Sequence, residues 1–273
     1  MKIFKDKHTL QREIFKNKNK GISFVPTMGG LHKGHISLIK QSKKSKLKTL
    51  VSIFVNPTQF NKKSDFKSYP RSTKTDLKKL KKLRINYLYI PTFKDIYGFK
   101  PKEKVFLDKL SKKLCGRFRR GHFEGVLNVI NRFLEIIKPK YIFLGKKDYQ
   151  QLYLIKKHIE KRKIKSKIIE CKTIRENNGV ALSTRNSNLD ENQMKIASNI
   201  YYYLYNLKKK IKKNYNLFNP NKIKKDLRDL GANKIDYLES YNIKNFKKIK
   251  RQNRKFNIFI AYYIKNTRLI DNI

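Results

Sequence analysis

Tryptophan is absent, and cysteine occurs only at Cys115 and Cys171, too few and too far apart for a disulfide framework or a CxxC metal site. A reducing, cytoplasmic setting is therefore expected. Acidic residues are scarce: 20 Asp and Glu stand against 68 Lys and Arg, a formal net charge of +48. Long apolar runs are missing too, none approaching the ~18 residues of a membrane-spanning helix. The opening "MKIFKDKHTLQREIF" is too polar for the apolar core of a secretory leader. A soluble protein with no membrane partner is the expectation. Histidine is rare as well, with five in all, yet two of them fall within ten residues.

The chain does have core material. Hydrophobic residues make up 39%, with 16 Tyr and 17 Phe, enough to bury a core despite 32% charged content, and 273 residues suggest two domains. The excess of lysine runs along the whole chain among Asn and Ile instead of gathering in a stripe or tail, so no specific nucleic-acid partner is expected. Runs such as "KKKIKK" (208–213) read as solvated helix faces.

Five short, nearly continuous apolar runs, "ISFVPT", "TLVSIFVN", "INYLYIPT", "KYIFLG" and "KIIECKTI", suit strands buried on both faces of a parallel sheet. Helical patterns lie between them. "DLKKLKKL" aligns Leu77, Leu80 and Leu83, while "GVLNVINRFLEIIK" repeats Val126, Ile130, Phe133 and Ile137 at helical spacing before Pro139. Alternating strands and helices predict an α/β fold with a doubly wound parallel sheet over residues 1–172, its ligand crevice beyond the carboxyl ends of the strands. Residues 173–273 read as a smaller C-terminal α+β domain closing over the site. It would have a Tyr-rich helix near 191–213, another helical stretch and the late strands "IDYLESYNI" and "FNIFIAYYI".

The clustered histidines belong to "PTMGGLHKGH" (26–35), which reads as a strand end, a glycine turn and a helix beginning near Gly34. A helix N-terminus attracts phosphate through its N–H groups and dipole, and Gly29 and Gly30 would let the chain approach closely. His32 and His35 would share one side of the first turn and donate to oxygens of one phosphate chain, most strongly as charge builds during displacement at phosphorus. A pair of surface histidines beside a tight turn is the plain alternative, since the glycine spacing matches neither a Walker loop nor the dinucleotide fingerprint.

Together with that segment, "VSIFVNPTQF", "YPR", "RRGHFEGV", "GKKDYQQL", "GVALSTRN" and "RLIDN" occur in an order and spacing that resemble the pantothenate synthetases, from residue 1 to residue 273. The resemblance implies a Rossmann-like fold of the HxGH-type nucleotidyltransferases. It implies a cytoplasmic homodimer that condenses (R)-pantoate with β-alanine through a pantoyl adenylate, with ATP as substrate and Mg²⁺, releasing AMP and pyrophosphate. Met28, Gly29, Gly30, Leu31, His32, Lys33, Gly34 and His35 would form the first ATP segment, with His35 as general acid. Gly145, Lys146, Lys147 and Asp148 would form the second, and Leu182, Ser183, Thr184 and Arg185 the third, with Ile174 lending backbone to adenine. Lys147, Ser183 and Arg185 would surround the phosphates, and His32, His35, Lys147 and Arg185 make the catalytic set. Gln59 would bind pantoate and then β-alanine, Gln151 would hold pantoate from the other side, and no protein-held metal site is implied.

The residue types suit that chemistry. A carboxylate must be activated before it can form an amide, and attack on the α-phosphate spreads negative charge that cations and Mg²⁺ stabilise. Amides such as Gln59 and Gln151 can donate and accept at once to hydroxyls and a carboxylate. Three positions depart from the family: Lys146 where Glu is usual, Arg120 where Pro is usual, and Thr184 where Ser is usual. On an extended segment Lys146 and Lys147 would point to opposite sides, with Lys147 inward. His122 is open between a packed histidine shaping the pocket and a direct role, Ser183 could simply cap a turn, and His8 and His158 read as surface residues. Another adenylyltransferase of the same fold and a basic RNA-binding protein are the rival readings.

Overall fold

A computed structural model describes residues 1–17, 21–61, 63–249 and 255–273, which fall into two units, Met1–Thr173 and Ile174–Ile273. The first unit runs β1 (Lys2–Phe4), α1 (Lys7–Lys16), β2 (Ile22–Thr27), α2 (Lys33–Lys44), β3 (Lys48–Ile53), α3 (Lys63–Lys67), α4 (Thr73–Lys82) and β4 (Tyr87–Tyr89). It continues with α5 (Phe93–Tyr97), α6 (Cys115–Phe118), α7 (His122–Ile137), β5 (Tyr141–Gly145), α8 (Tyr149–Lys161) and β6 (Lys167–Cys171). The strands lie in the order β1-β4-β3-β2-β5-β6, each neighbouring pair parallel.

Side chains alternate between the faces of a strand, so a strand buried on both sides must be apolar throughout. Phe24 and Val25 of β2, both fully buried, show this. Val25 joins Val51 and Leu88 with Ile39 of α2 and Leu80 of α4 on one face. On the other, Phe24 meets Phe133 of α7 at 5.4 Å between ring centroids, and Tyr89 meets the same ring at 6.2 Å. Burying each such side chain contributes about 1.5–3 kcal/mol, so these runs decide the layering and the lysines between them stay in water. The doubly wound architecture follows.

Two edge strands differ from the reading of the sequence. Three-residue β1, with Lys2 and Ile3 exposed, has no apolar run to announce it. β6 leaves Lys167 and Glu170 exposed, because an edge strand needs burial only toward its one neighbour.

The strand order reverses between β2 and β5, the place where such a sheet opens a ligand crevice. β2 pairs with β5 only at Ser23↔Tyr141 and Phe24↔Ile142, but with β3 as far as Thr27↔Ile53. Pro26 offers no N–H to the ladder there, and β2 and β5 part at their carboxyl ends.

The second unit packs α9 (Glu191–Lys213) and α10 (Pro220–Asp229) on an antiparallel sheet in the order β7 (Lys234–Asn242), β8 (Phe256–Ile264), β9 (Thr267–Asn272). Leu204 and Ile211 of α9, Leu227 of α10, and Ile258 and Ile260 of β8 are its fully buried centre. β9 is an edge strand mostly half-buried, with only Leu269 and Asn272 buried, and "RLIDN" carries too little apolar pattern to be read as a strand.

Candidate active site

The turn after β2 uses two glycines in the left-handed region, Gly29 at φ 78° and Gly30 at φ 61°. A side chain at Gly29 would stand 3.1 Å from Asp76 Oδ2 and 3.3 Å from Ile53 Cγ2. The reason is a buried carboxylate beneath the turn. Asp76 of α4 accepts from Gly30 N and Leu31 N, both at 2.8 Å, while Gly29 N donates to Thr27 Oγ1 at 3.2 Å. The turn's amides are thus directed inward, and side chains form its outward chemistry.

α2 then begins with a reciprocal cap. His32 Nδ1 accepts from Gly34 N at 3.1 Å, and His35 Nδ1 accepts from His32 N at 3.4 Å, which sets the two rings 4.1 Å apart. With Nδ1 accepting in both, the proton sits on Nε2 in both. Burial lowers His32 to about 4, helped by the cations of Lys147 and Lys79, against the opposing charge of Asp148. Burial likewise lowers His35 to about 3, with the neighbouring His32 as the next cause. At neutral pH both are therefore uncharged imidazoles with an Nε2–H to donate.

β5 ends at Gly145, and Lys146–Asp148 form a 3₁₀ turn rather than an extended segment, so strand alternation does not orient the two lysines. Ion pairing does. Lys146 Nζ lies 3.4 Å from Glu170 Oε2 of β6, whose other oxygen is 3.6 Å from Lys156 Nζ. Lys147 Nζ lies 3.3 Å from Asp148 Oδ1, and its charge acts on both histidines. Lys147 is the inward member, and Glu170 is the counter-charge that accommodates Lys146.

After β3, "NPTQ" forms a 3₁₀ turn, Pro57–Gln59, capped by Asn56. Gln59 is buried, with Nε2 2.6 Å from Met28 Sδ and Oε1 3.4 Å from Asn56 Nδ2. Its carbonyl is held by His122 Nδ1–H at 2.8 Å and Arg119 Nη2 at 3.3 Å, while Arg119 Nη1 donates to His122 Nε2 at 3.0 Å. His122 thus shapes the Gln59 turn. α7 comes this close because Gly125 has no side chain: a Cβ there would lie 2.4 Å from Thr58 O. Arg120 is exposed, its carbonyl accepting from Asn61 Nδ2 at 2.5 Å.

At the start of α8, Gln150 is committed to structure, donating to Leu110 O at 2.8 Å and Lys113 O at 2.7 Å and accepting from Cys115 N at 3.1 Å. Its neighbour Gln151 is half-buried and makes no hydrogen bond among the described residues. Further along, His158 is not a surface residue: it is fully buried, accepting from Phe106 N at 3.1 Å on Nδ1 and donating from Nε2 to Asn131 Oδ1 at 3.0 Å. Its position four residues after buried Leu154 carried that signal. His8 is exposed, as read.

In the second unit, Ile174 O accepts from Leu182 N at 3.0 Å, which ties the start of this unit to the Leu182–Arg185 segment. Ser183 caps a 3₁₀ turn, Thr184–Asn188, by accepting from Arg185 N at 3.2 Å, and its own hydroxyl proton is still available to donate. Asp76 and Lys79 were missed because each is a single charge in a lysine-rich helical stretch, and Arg119 because it stands beside a second arginine before His122 with nothing to single it out.

The family model for pantoate-beta-alanine ligases matches residues 2–273. Pantothenate synthetase of Flavobacterium psychrophilum is 39% identical over 267 residues, covering 95% of this chain and 93% of that protein. That of Ruthia magnifica is 40% identical over 257 residues, covering 94% and 91%. Pantoate-beta-alanine ligase of Francisella tularensis, complexed with beta-gamma ATP and beta-alanine, superposes with a TM-score of 0.82 at 37% identity, covering 100% of this chain and 97% of that one. Pantothenate synthetase of Thermus thermophilus superposes with a TM-score of 0.90 at 26% identity, covering 100% and 99%. With a match across the whole fold and through each of these segments, the chain belongs to the pantoate–β-alanine ligase family.

Proposed function

We propose that this protein condenses pantoate with β-alanine to pantothenate, using ATP and releasing AMP and pyrophosphate by way of a pantoyl adenylate. The observation that carries this reading is the sheet order. Three adjacent strands, β3, β2 and β5, end in an amide side chain, a histidine pair and a lysine respectively: Gln59, His32 with His35, and Lys147. An acid-binding amide beside phosphate-directed donors is what adenylation of a carboxylate requires.

In that step a pantoate carboxylate oxygen attacks the α-phosphorus, and the bond to the bridging oxygen breaks with its electron pair leaving on pyrophosphate. Gln59 and Gln151 orient pantoate. His32 and His35 donate from Nε2 as neutral hydrogen-bond donors, positioned before the charge appears. In the second step the uncharged β-alanine amine attacks the acyl carbon, the acyl–oxygen bond breaks with its electron pair leaving on AMP, and the proton lost from nitrogen passes to solvent, with β-alanine held at Gln59.

Met28 to His35, Gly145 to Asp148, Ile174 and Leu182 to Arg185 are proposed as the ATP contacts, with Ser183 and Arg185 toward the phosphates and Thr184 retaining the hydroxyl of the usual Ser. Among the described residues no group of three or more His, Cys, Asp or Glu could hold a metal ion. Mg²⁺ is proposed to arrive on the ATP phosphates, where it neutralises their charge. No described helix is long and apolar enough to cross a membrane. We further propose a cytoplasmic homodimer with no specific nucleic-acid partner, the +48 charge being spread over solvated surface.

Incubation with ATP, Mg²⁺, pantoate and β-alanine, omitting each in turn, tests the reading. Pantothenate and AMP should form only in the complete mixture. Pyrophosphate release with mononucleotides in place of pantoate would favour a dinucleotide-forming adenylyltransferase instead.

A further inference from the structure

A phosphate site at the end of a central strand ordinarily relies on the backbone amides of the following turn. Here those of Gly30 and Leu31 hold the Asp76 carboxylate, those of His32 and Gly34 hold the imidazoles of His35 and His32, and that of Gly29 holds Thr27. With these amides committed, side chains are the main source of positive partners for a polyphosphate at this turn. One lies a single helical turn beyond Asp76. Lys79 is half-buried, and its Nζ reaches back 2.5 Å to Leu31 O, one residue before His32. An ammonium group has three donors, and this bond uses one.

We infer that Lys79 is a catalytic residue of the adenylation step, its ammonium contacting the ATP phosphates and stabilising the negative charge that collects on the departing pyrophosphate, while Asp76 positions the turn that presents it. Asp76 and Lys79 lie three residues apart on α4, on neighbouring turns of one helix face. The carboxylate points into the turn and consumes its amides; the ammonium lies along the turn's outer edge. Lys79 thereby flanks the histidines from the β4 side of the sheet, as Lys147 does from the β5 side. Its positive charge lies close enough to act on both imidazoles. No proton transfer is needed in the step.

The inference rests on the ligase reading, so the test separates the two. Single-turnover pyrophosphate release from ATP, Mg²⁺ and pantoate is measured for the wild type, Lys79→Met and Lys79→Arg, with the melting temperature and the KM for β-alanine. Lys79→Met should slow release by about 10²-fold, the usual scale for one lost donor to developing charge. Lys79→Arg should recover most of that loss, and melting temperature and KM for β-alanine should stay at wild-type values. Imidazole titration by NMR should show both histidines shifted upward in Lys79→Met. Release within about threefold of wild type in Lys79→Met would overturn the inference while leaving the ligase reading intact. So would equal losses in both variants accompanied by a lowered melting temperature, the mark of a lysine that only braces Leu31. A wild type that releases no pyrophosphate from pantoate and ATP refutes the ligase reading and this inference together.

Discussion

At the scale of single residues, the chain's histidines divide according to where their ring nitrogens are committed. His32, His35 and His158 all titrate below the ordinary value, chiefly through burial, with His32 and His158 lowered to about 4 and His35 to about 3. A lowered folded value means that the unfolded chain binds protons first. The stability from these groups is therefore complete above about 6.5 and lost as pH falls toward 4 and 3. Urea midpoints should be flat from pH 8 to 7 and fall steeply from pH 6 to 4. Replacing His158 by Gln should cost about 1–3 kcal/mol at pH 7.5, by disturbing the bonds to Phe106 N and Asn131, and should make the acid limb shallower. Unchanged slopes would mean that His158 does not contribute to the limb.

The lysine pair separates in the same way. Lys146→Glu faces Glu170 with a like charge, but Lys156 still neutralises Glu170 and water screens the site, so KM for ATP should change less than about fivefold. Lys147→Ala should slow pyrophosphate release by at least about 10²-fold. Steady-state kinetics on both variants checks this, and equal damage would contradict the ion-pair assignment. The expectation that Lys147 faces inward rested on alternation along an extended segment, but the segment is a 3₁₀ turn, and what draws Lys146 away is Glu170, twenty-four residues after it on β6.

At the scale of elements, the approach of α7 to the Pro57–Gln59 turn decides where the Gln59 amide, proposed to bind pantoate, stands. Gly125→Ala would place a methyl group 2.4 Å from Thr58 O and 2.6 Å from Thr58 C, both backbone atoms that cannot rotate away. We expect a loss of about 1–3 kcal/mol in stability, as for other overpacked contacts. KM for pantoate should rise more than KM for ATP, because Gln59 moves while the β2 turn does not. Equal changes in both constants would show that the two turns move as one. Strongly periodic elements such as α7 and α9, and the short apolar runs of the central strands, were legible in the sequence because packing and local pattern agree. β1 and β9 were not, because edge strands take their pairing from a neighbour distant in sequence and carry little pattern of their own. Likewise, "GG" was legible as a turn, but the carboxylate beneath it was not, because Asp76 lies on α4, more than forty residues later.

At the scale of the whole molecule, the parallel sheet brings Gln59, the histidine pair and Lys147 to one end of three adjacent strands. The central claim is that this arrangement activates a carboxylate before any amine is present. Rapid-quench measurement of pyrophosphate from ATP, Mg²⁺ and pantoate without β-alanine tests it most directly. The account predicts a burst close to one equivalent of enzyme with no free AMP, and AMP and pantothenate only after β-alanine is added. Pyrophosphate release that absolutely requires β-alanine would contradict it.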